Sequence, residues 1–402
     1  MPSPSQSLLE ESFRWYGPRD RVRLADVRQT GATGIYTALH HIPYGEVWPK
    51  EDILRRKREI EDAGLGWVAV EAVSVSEAIK SGGPDRDRHL ENYCETLRRL
   101  GAAGVHVVLN CFMPVFEWVR TDFARRLPDG KTCLAYNPVH FAAFDLAILK
   151  RPGAENDYPE SIIEQALAWA ASLPTEELDA FRRRICGMLP GFDPAFTEVE
   201  VLDRIHAFQD LGADGLRQNL RVFLETVVPV AEESGVRLAM HPDDPPFAIF
   251  GLPRILSTEA DFVDMLAMVD SPANGIGLCT GSLGVRADND IPGMIERLGS
   301  HIHAVHLRNV MREQGGAFYE SDHLGGSVDL VATMRALIGE VRQRMESGRE
   351  DWRLSFRPDH GHVMLDDLEK EEIPNPGYTL LGRMRGLAEL RGVQETLRRC
   401  LE

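Results

Sequence analysis

Short apolar or β-branched runs recur along the chain, each followed by a turn and then a longer amphipathic stretch, which is the alternation that parallel βα units produce. Seven runs read as strands: 34–39 (GIYTAL), 66–71 (GWVAVE), 105–109 (VHVVL), 236–240 (VRLAM), 275–279 (GIGLC), 302–307 (IHAVHL) and 352–357 (WRLSFR). Between them the spacing predicts helices over 50–63, ending in Ala-Gly, and over 88–101, where Leu90, Tyr93, Leu97 and Leu100 recur at helical intervals before Gly101 as a C-cap. From about 120 to 215 the alternation stops. Acidic helical segments at 160–173, 175–188 and 198–210 follow one another without a strand, which reads as a helical insertion. Seven clear strands and one weaker strand expected near the C-terminus fit an α/β fold in which eight parallel strands close into a (β/α)8 barrel. An open doubly wound sheet would show a Gly-rich first turn. No GxGxxG or GxxxxGK[ST] occurs, so a nucleotide-cradling loop has no support. The expectation is one barrel domain spanning 1–402, with 120–215 inserted in it to cover the pocket or build a subunit contact.

Composition narrows the partners. Lys and Arg number 45 and Asp and Glu 62, a formal charge of −17 that would repel a nucleic-acid backbone. No apolar run approaches the roughly 18 residues of a membrane helix, and the start, MPSPSQSLLEESF, lacks the basic-then-apolar order of a signal peptide, so a cytoplasmic location is expected. The six cysteines, at 94, 111, 133, 186, 279 and 400, are too sparse for a disulfide framework and read as reduced thiols, with one available as a ligand.

Barrels of this class place their chemistry at the C-terminal ends of their strands. There the sequence sets His241 after 236–240, Cys279 at the end of 275–279, His306 near the end of 302–307, and Asp359 and His360 after 352–357. Each alone has a plain structural reading, since a strand-end Cys is usually packing and a lone His usually a hydrogen-bonded core residue. Four metal-ligand types at four separate strand ends point jointly to one ion. His40 and His41 follow the first of these strands as pocket candidates. His301 and His303 start a strand and read as structural, and His362 as loop support. Of Asp243 and Asp244, in the proline-stiffened HPDDPP, one reads as orienting a ligand or a substrate hydroxyl.

The blocks RWYG (14–17), TALHHIP (37–43), GEVW (45–48), FMPV (112–115), ILKRPGAE (148–155), HPDDPP (241–246), GLPRI (251–255), CTGSLGVRADND (279–290), HLR (306–308), RPDHGH (357–362) and NPGY (375–378) stand in an order that resembles the mannonate dehydratases of hexuronate breakdown, from about residue 13 to 393. The resemblance implies a TIM barrel of the xylose-isomerase-like kind, one Mn2+ or Fe2+ per chain, and dehydration of D-mannonate to 2-keto-3-deoxy-D-gluconate. It implies His241, Cys279, His306 and Asp359 as metal ligands and His360 and Tyr378 as the proton-handling pair. It also implies Arg14, Tyr16, His41, Ser282 and Arg308 as contacts to a small aldonic acid, and a homodimer as the assembly. The chain departs from the family pattern where strands two and three open. SVPVHEDIK is replaced by AVSVSEAIK, with Ser74 and Ser76 at the usual Pro and His, and Cys111 stands where Asn is usual before FMPV.

Dehydrating an aldonate requires removal of a weakly acidic C2 proton beside a carboxylate and departure of hydroxide from C3. A divalent Lewis acid eases the first and a general acid the second. His360 suits the acid, and Tyr378 suits the base if the metal or Arg308 lowers its pKa; the reverse assignment stays open. The thiolate argues against magnesium and calcium and allows zinc, iron or manganese, of which the resemblance selects the last two. Two other readings remain at this stage: a metal-dependent sugar or sugar-acid isomerase or epimerase, and a non-catalytic sugar-acid binding protein that keeps its metal as structure.

Overall fold

A computed structural model describes residues 9–187, 196–370, 373 and 375–400. Eight parallel strands close into a barrel: β1 (Glu10–Arg14), β2 (Gly34–Thr37), β3 (Gly66–Val70), β4 (Val107–Asn110), β5 (Arg237–Met240), β6 (Ile276–Cys279), β7 (Ile302–Leu307) and β8 (Ser355–Pro358). Each is hydrogen-bonded to its neighbours in sequence, and β8 closes onto β1. Helices such as Lys50–Asp62 and Arg86–Ala102 lie outside, their apolar stripes of Ile53 and Ile60 and of Leu90, Leu97 and Leu100 buried against the strands. A separate small cluster of Tyr36, Ala69, Leu109, Ala239 and Ala304, from β2, β3, β4, β5 and β7, fills the barrel interior. Tyr36 there donates its hydroxyl hydrogen bond toward Ser355. The fold is a (β/α)8 barrel.

Two sequence expectations are corrected. The eighth strand is the first in the chain, not the last: β1 has the sequence EESFR, and the described residues after β8 form a short 3-10 turn and the helix Leu380–Cys400. The pattern of β1 misleads because its Glu10 and Glu11 are satisfied tertiarily. Glu11 is ion-paired to Arg391 of that last helix, and Glu10 lies 3.8 Å from Arg353. The stretch 120–215 is also not free of strands. Asp122–Arg126 and Thr132–Tyr136 form an antiparallel hairpin around the turn LPDGK, where Gly130 takes φ of +89°, a conformation that costs an L side chain strain. This hairpin continues into Phe318–Glu320 and Val310–Arg312 from the loop after β7, making a four-stranded sheet over the barrel mouth. Helices Glu160–Ser172, Thr175–Cys186 and Glu198–His206 follow, close to the predicted segments.

Candidate active site and metal centre

Parallel register brings the strand ends level. Cys279 of β6 is the direct partner of His306 on β7, and His306 is the partner of Arg357 on β8. His241 extends β5 by one residue, its amide bonded to the Asn110 carbonyl on β4. The ends of β6 and β7 are stitched by Thr280, whose hydroxyl accepts from the Arg308 amide at 2.8 Å and donates to the Arg308 carbonyl at 2.6 Å. The turn after Cys279 presses on the Arg308 side chain so closely that a Cβ at Gly281 would lie 1.9 Å from its Nε.

Ligand atoms of His241, Cys279 and His306 all lie within 4.8 Å of one another. Donors sharing one ion at about 2.0–2.3 Å each must lie within roughly 4.6 Å, so the three are nearly in place. The chemistry of the trio also fits a cation. His241 donates from Nδ1 to the Pro242 carbonyl at 2.7 Å, which turns Nε2 inward. Burial by itself would lower the His241 pKa, but the neighbouring Cys279 sulfur raises it to about 9. Burial by itself would raise the Cys279 thiol, but Arg308 and His241 hold it well below the usual thiol range. A positive charge is therefore wanted between imidazole and sulfur, and a divalent ion can displace the proton there. Nε2 of His306 is buried with no hydrogen bond, 3.5 Å from a Glu71 oxygen.

Asp359 lies outside that trio. Its carboxylate faces the same cavity and is held by Arg357 at 2.5 Å, Arg308 at 3.3 Å and the Tyr378 hydroxyl, which donates to Oδ1 at 2.9 Å. Burial would raise its pKa, yet Arg357, His360 and Arg308 keep it well below the carboxylate range. His360 packs edge-on to Tyr378 with ring centroids 5.1 Å apart. Its Nδ1 lies 3.0 Å from Glu320, a residue of the accessory sheet. Burial pushes the Tyr378 phenol well above its usual pKa, and Asp359 pushes it further.

Arg14, Tyr16 and Arg308 line the cavity, as expected for substrate contacts, with the Arg14 guanidinium 4.7 Å from the centre of the Tyr16 ring. Two of the residues assigned to substrate are placed elsewhere. His41 is about half exposed and bonded to Asp52 at 2.9 Å; its neighbour His40 faces the cavity, held 3.0 Å from Arg14. The bond to Arg14 holds His40 at the cavity, and the bond to Asp52 holds His41 away from it. Ser282 is buried behind the sulfur, with its hydroxyl 3.2 Å from Cys279 Sγ and from Asp244 Oδ2, where it supports the thiolate without facing the cavity.

Sequence reading passed over two acids, Glu71 and Glu320, and left open which of Asp243 and Asp244 serves the site. Glu71 ends β3 and clamps Arg357 through both oxygens, at 2.6 and 2.8 Å, while Arg14 lies 3.2 Å away. The strand-end rule applied to β3 would have found it. Asp244 and Glu320 share Arg120, each at 2.7 Å, and both also meet Arg308. Arg308 and Arg120 outweigh burial and lower Glu320 to about 2. Asp243 instead caps the loop through the Leu256 amide and the Ser257 hydroxyl. Arg120→Met would strip a fully buried cation from two buried carboxylates. We expect it to cost about 3–5 kcal/mol of stability, read by urea unfolding; a loss under 1 kcal/mol would show that Arg308 alone compensates both acids.

The fold and this cluster together define a (β/α)8 barrel with a candidate divalent-metal centre at its C-terminal mouth. A family model described as D-mannonate dehydratase (UxuA) matches residues 9–402. Mannonate dehydratase 1 of Agrobacterium fabrum is 46% identical over 392 residues, 97% of each chain, and the mannonate dehydratase of Chromohalobacter salexigens is 47% identical over 391 residues, 97% of this chain and 99% of its own. The crystal structure of mannonate dehydratase from Streptococcus suis serotype 2 superposes with a TM-score of 0.76 at 34% identity, covering 98% of this chain and 96% of that one. The chain belongs to the D-mannonate dehydratase family.

Proposed function

We propose that this protein dehydrates D-mannonate to 2-keto-3-deoxy-D-gluconate with the aid of one divalent metal ion. The observation that carries the reading is that the His241–Cys279–His306 trio adjoins, through His241, the cavity lined by Asp359, His360 and Tyr378, in a chain matched to the dehydratase family over residues 9–402. Loss of H from C2 and OH from C3 leaves an enol with its hydroxyl on C2, which ketonises to the 2-keto-3-deoxy acid.

His241, Cys279 and His306, with Asp359 as a fourth donor, would hold Mn2+ or Fe2+, and the ion would supply Lewis-acid stabilisation of the charge that builds on the carboxylate side as C2 loses its proton. Arg14, Arg308 and Arg357 set the cationic end of the cavity. Glu320 beside His360 Nδ1 is the arrangement that orients a general base, leaving Nε2 to take the C2 proton. Tyr378, whose phenol burial keeps protonated, gives its proton to the leaving C3 oxygen. These roles reverse the first sequence-based assignment, and the reason is tertiary: the carboxylate partner of His360 comes from a sheet that local pattern did not reveal. The segment 120–215 is read as part of the barrel domain, since Arg120 anchors its start to Asp244 and Glu320. Among the described residues no helix is long and apolar enough to cross a membrane.

Dialysis against a chelator should abolish formation of the 2-keto-3-deoxy acid from D-mannonate. Added Mn2+ or Fe2+ should restore it while Mg2+ should not, because a thiolate-imidazole set disfavours a hard ion. Turnover that survives chelation, or absence of product with every metal, would overturn the proposal.

A further inference from the structure

The cavity is electrically lopsided, and the imbalance follows the strand order. All three guanidinium groups that line it come from β1, β7 and β8: Arg14, Arg308 and Arg357. The lining contributed by the loops after β2, β3 and β4 and by the helix Arg86–Ala102 includes Glu46 and Glu117, besides Glu71, which Arg14 and Arg357 already engage, and, among the described residues, no lysine or arginine. Cys279 and His306 stand on β6 and β7, and His241 and Asp359 directly follow β5 and β8, so the opposite arc of the mouth is the wall that these residues leave free. An aldonate fixed by its carboxylate at the cationic end must lay its remaining carbons along that arc.

This wall also carries unspent hydrogen-bonding capacity. Oε1 of Glu117 is buried without a hydrogen bond but ion-paired to Lys80 at 3.5 Å, and Lys80 opposes the burial that pushes its carboxyl up. Lys80 is itself occupied by Glu77 at 3.1 Å and the Met113 carbonyl at 3.0 Å. The adjacent Trp118 has its indole Nε1 equally buried and without an acceptor, and its ring packs against His360 at 5.7 Å. An acceptor and a donor on successive residues of the lining, the second packed on a proton-handling residue, match a hydroxyl group, which both gives and takes a hydrogen bond. Ser74 and Cys111 complete the wall. Ser76 does not enter it; it caps the helix Glu77–Ser81 and bonds His89 Nδ1 at 2.7 Å.

We infer that the wall formed by Ser74, Cys111, Glu117 and Trp118 is the specificity subsite for the non-reacting end of the substrate, and that it takes this end as a neutral polyol. Glu117 accepts from a distal hydroxyl and repels a second carboxylate. The site thereby selects monocarboxylic aldonates over dicarboxylic aldarates, and longer aldonates over truncated ones. The inference rests on the proposed dehydratase reading for which end of the sugar acid lies at the metal.

Three acids test it: D-mannonate; D-lyxonate, which keeps the configuration of C2 to C4 and lacks the last carbon; and D-mannarate, which has a carboxylate at C6. Binding to the full-length protein with Mn2+ present is measured by calorimetry, and turnover is followed in parallel. The wild type is expected to bind D-mannonate about tenfold more tightly than D-lyxonate, the scale of one or two satisfied hydrogen bonds. It should bind D-mannarate more weakly still. Glu117→Gln keeps the shape and removes the charge, and should narrow the mannonate-to-mannarate ratio by about tenfold. Trp118→Phe should narrow the mannonate-to-lyxonate ratio, which keeps the test alive if the first variant does not fold. Equal affinity of the wild type for mannonate and mannarate, or variants that weaken all three acids by one common factor, would overturn the subsite. Selective binding without turnover of D-mannonate would leave the subsite standing and refute the dehydratase reading. Turnover of D-mannonate without selectivity would do the opposite, and failure to bind any of the acids would refute both.

Discussion

Cys279→Ser is expected to leave the protein with far less than one divalent ion per chain and to lower kcat/KM for D-mannonate by about 10³ or more. The sulfur is the centre of the trio. It is the register partner of His306, it is the group whose charge raises His241, and it is drawn below its normal pKa by Arg308. A serine hydroxyl in the same buried place does not ionise, so the site loses its one anionic donor among the three and keeps the repulsion of the arginine. Loss of an outer-shell partner alone costs about 10–100-fold in metal affinity or activity, and loss of a ligand should exceed that. The measurement is metal content by emission spectrometry on protein of unchanged circular dichroism, with kinetics alongside. A Cys279→Ser protein that retains a full complement of Mn2+ and near-normal turnover would remove Cys279 from the metal shell.

Tyr378→Phe is expected to behave in the opposite way toward metal: one ion per chain stays bound while kcat falls by about 10² or more, the scale of a lost general acid. The ring is set by its edge-on packing against both His360 and Tyr16, which phenylalanine preserves. Only the hydroxyl that donates to Asp359 disappears. The neutral phenol demanded by burial also makes a sign prediction, since a group that must be protonated to act loses activity as pH rises through its pKa. That pKa is pushed upward here, so the tyrosine should impose no alkaline limit near neutrality. Rescue of Tyr378→Phe by excess metal would show that the hydroxyl acts through Asp359 on metal binding and not on the leaving oxygen.

Much of this site was legible without coordinates because a parallel barrel converts a one-dimensional rule into a three-dimensional one. Each strand must end at the same rim, so residues at strand ends 241, 279, 306 and 359 had to converge once seven strands were recognised. The rule failed for β1, where two glutamates in five residues hid a strand whose charges are answered by Arg391 and Arg353 far along the chain. It offered His40 and His41 together, because a run of two histidines says nothing about which one faces the cavity, and the structure places His40 there.

The strand periodicity, the acidic charge and the placement of ligand-type residues at strand ends are local properties, and they let the sequence by itself give the barrel class and the candidate metal chemistry and exclude a polynucleotide, while the sugar acid came only with the family resemblance. What only tertiary structure decided are the partnerships between residues remote in the chain. The pairing of the 122–136 hairpin with 310–320 brings Glu320 to His360 across 40 residues and Arg120 to Glu320 across 200. The closure of β8 on β1 sets Arg14 and Arg357 on either side of Glu71. Protonation and charge in a buried site depend on which group lies within a few ångströms, since solvent no longer screens them. The proposed assignment of acid and base, and the proposed subsite wall, therefore rest on contacts that exist only once the chain is closed into a barrel.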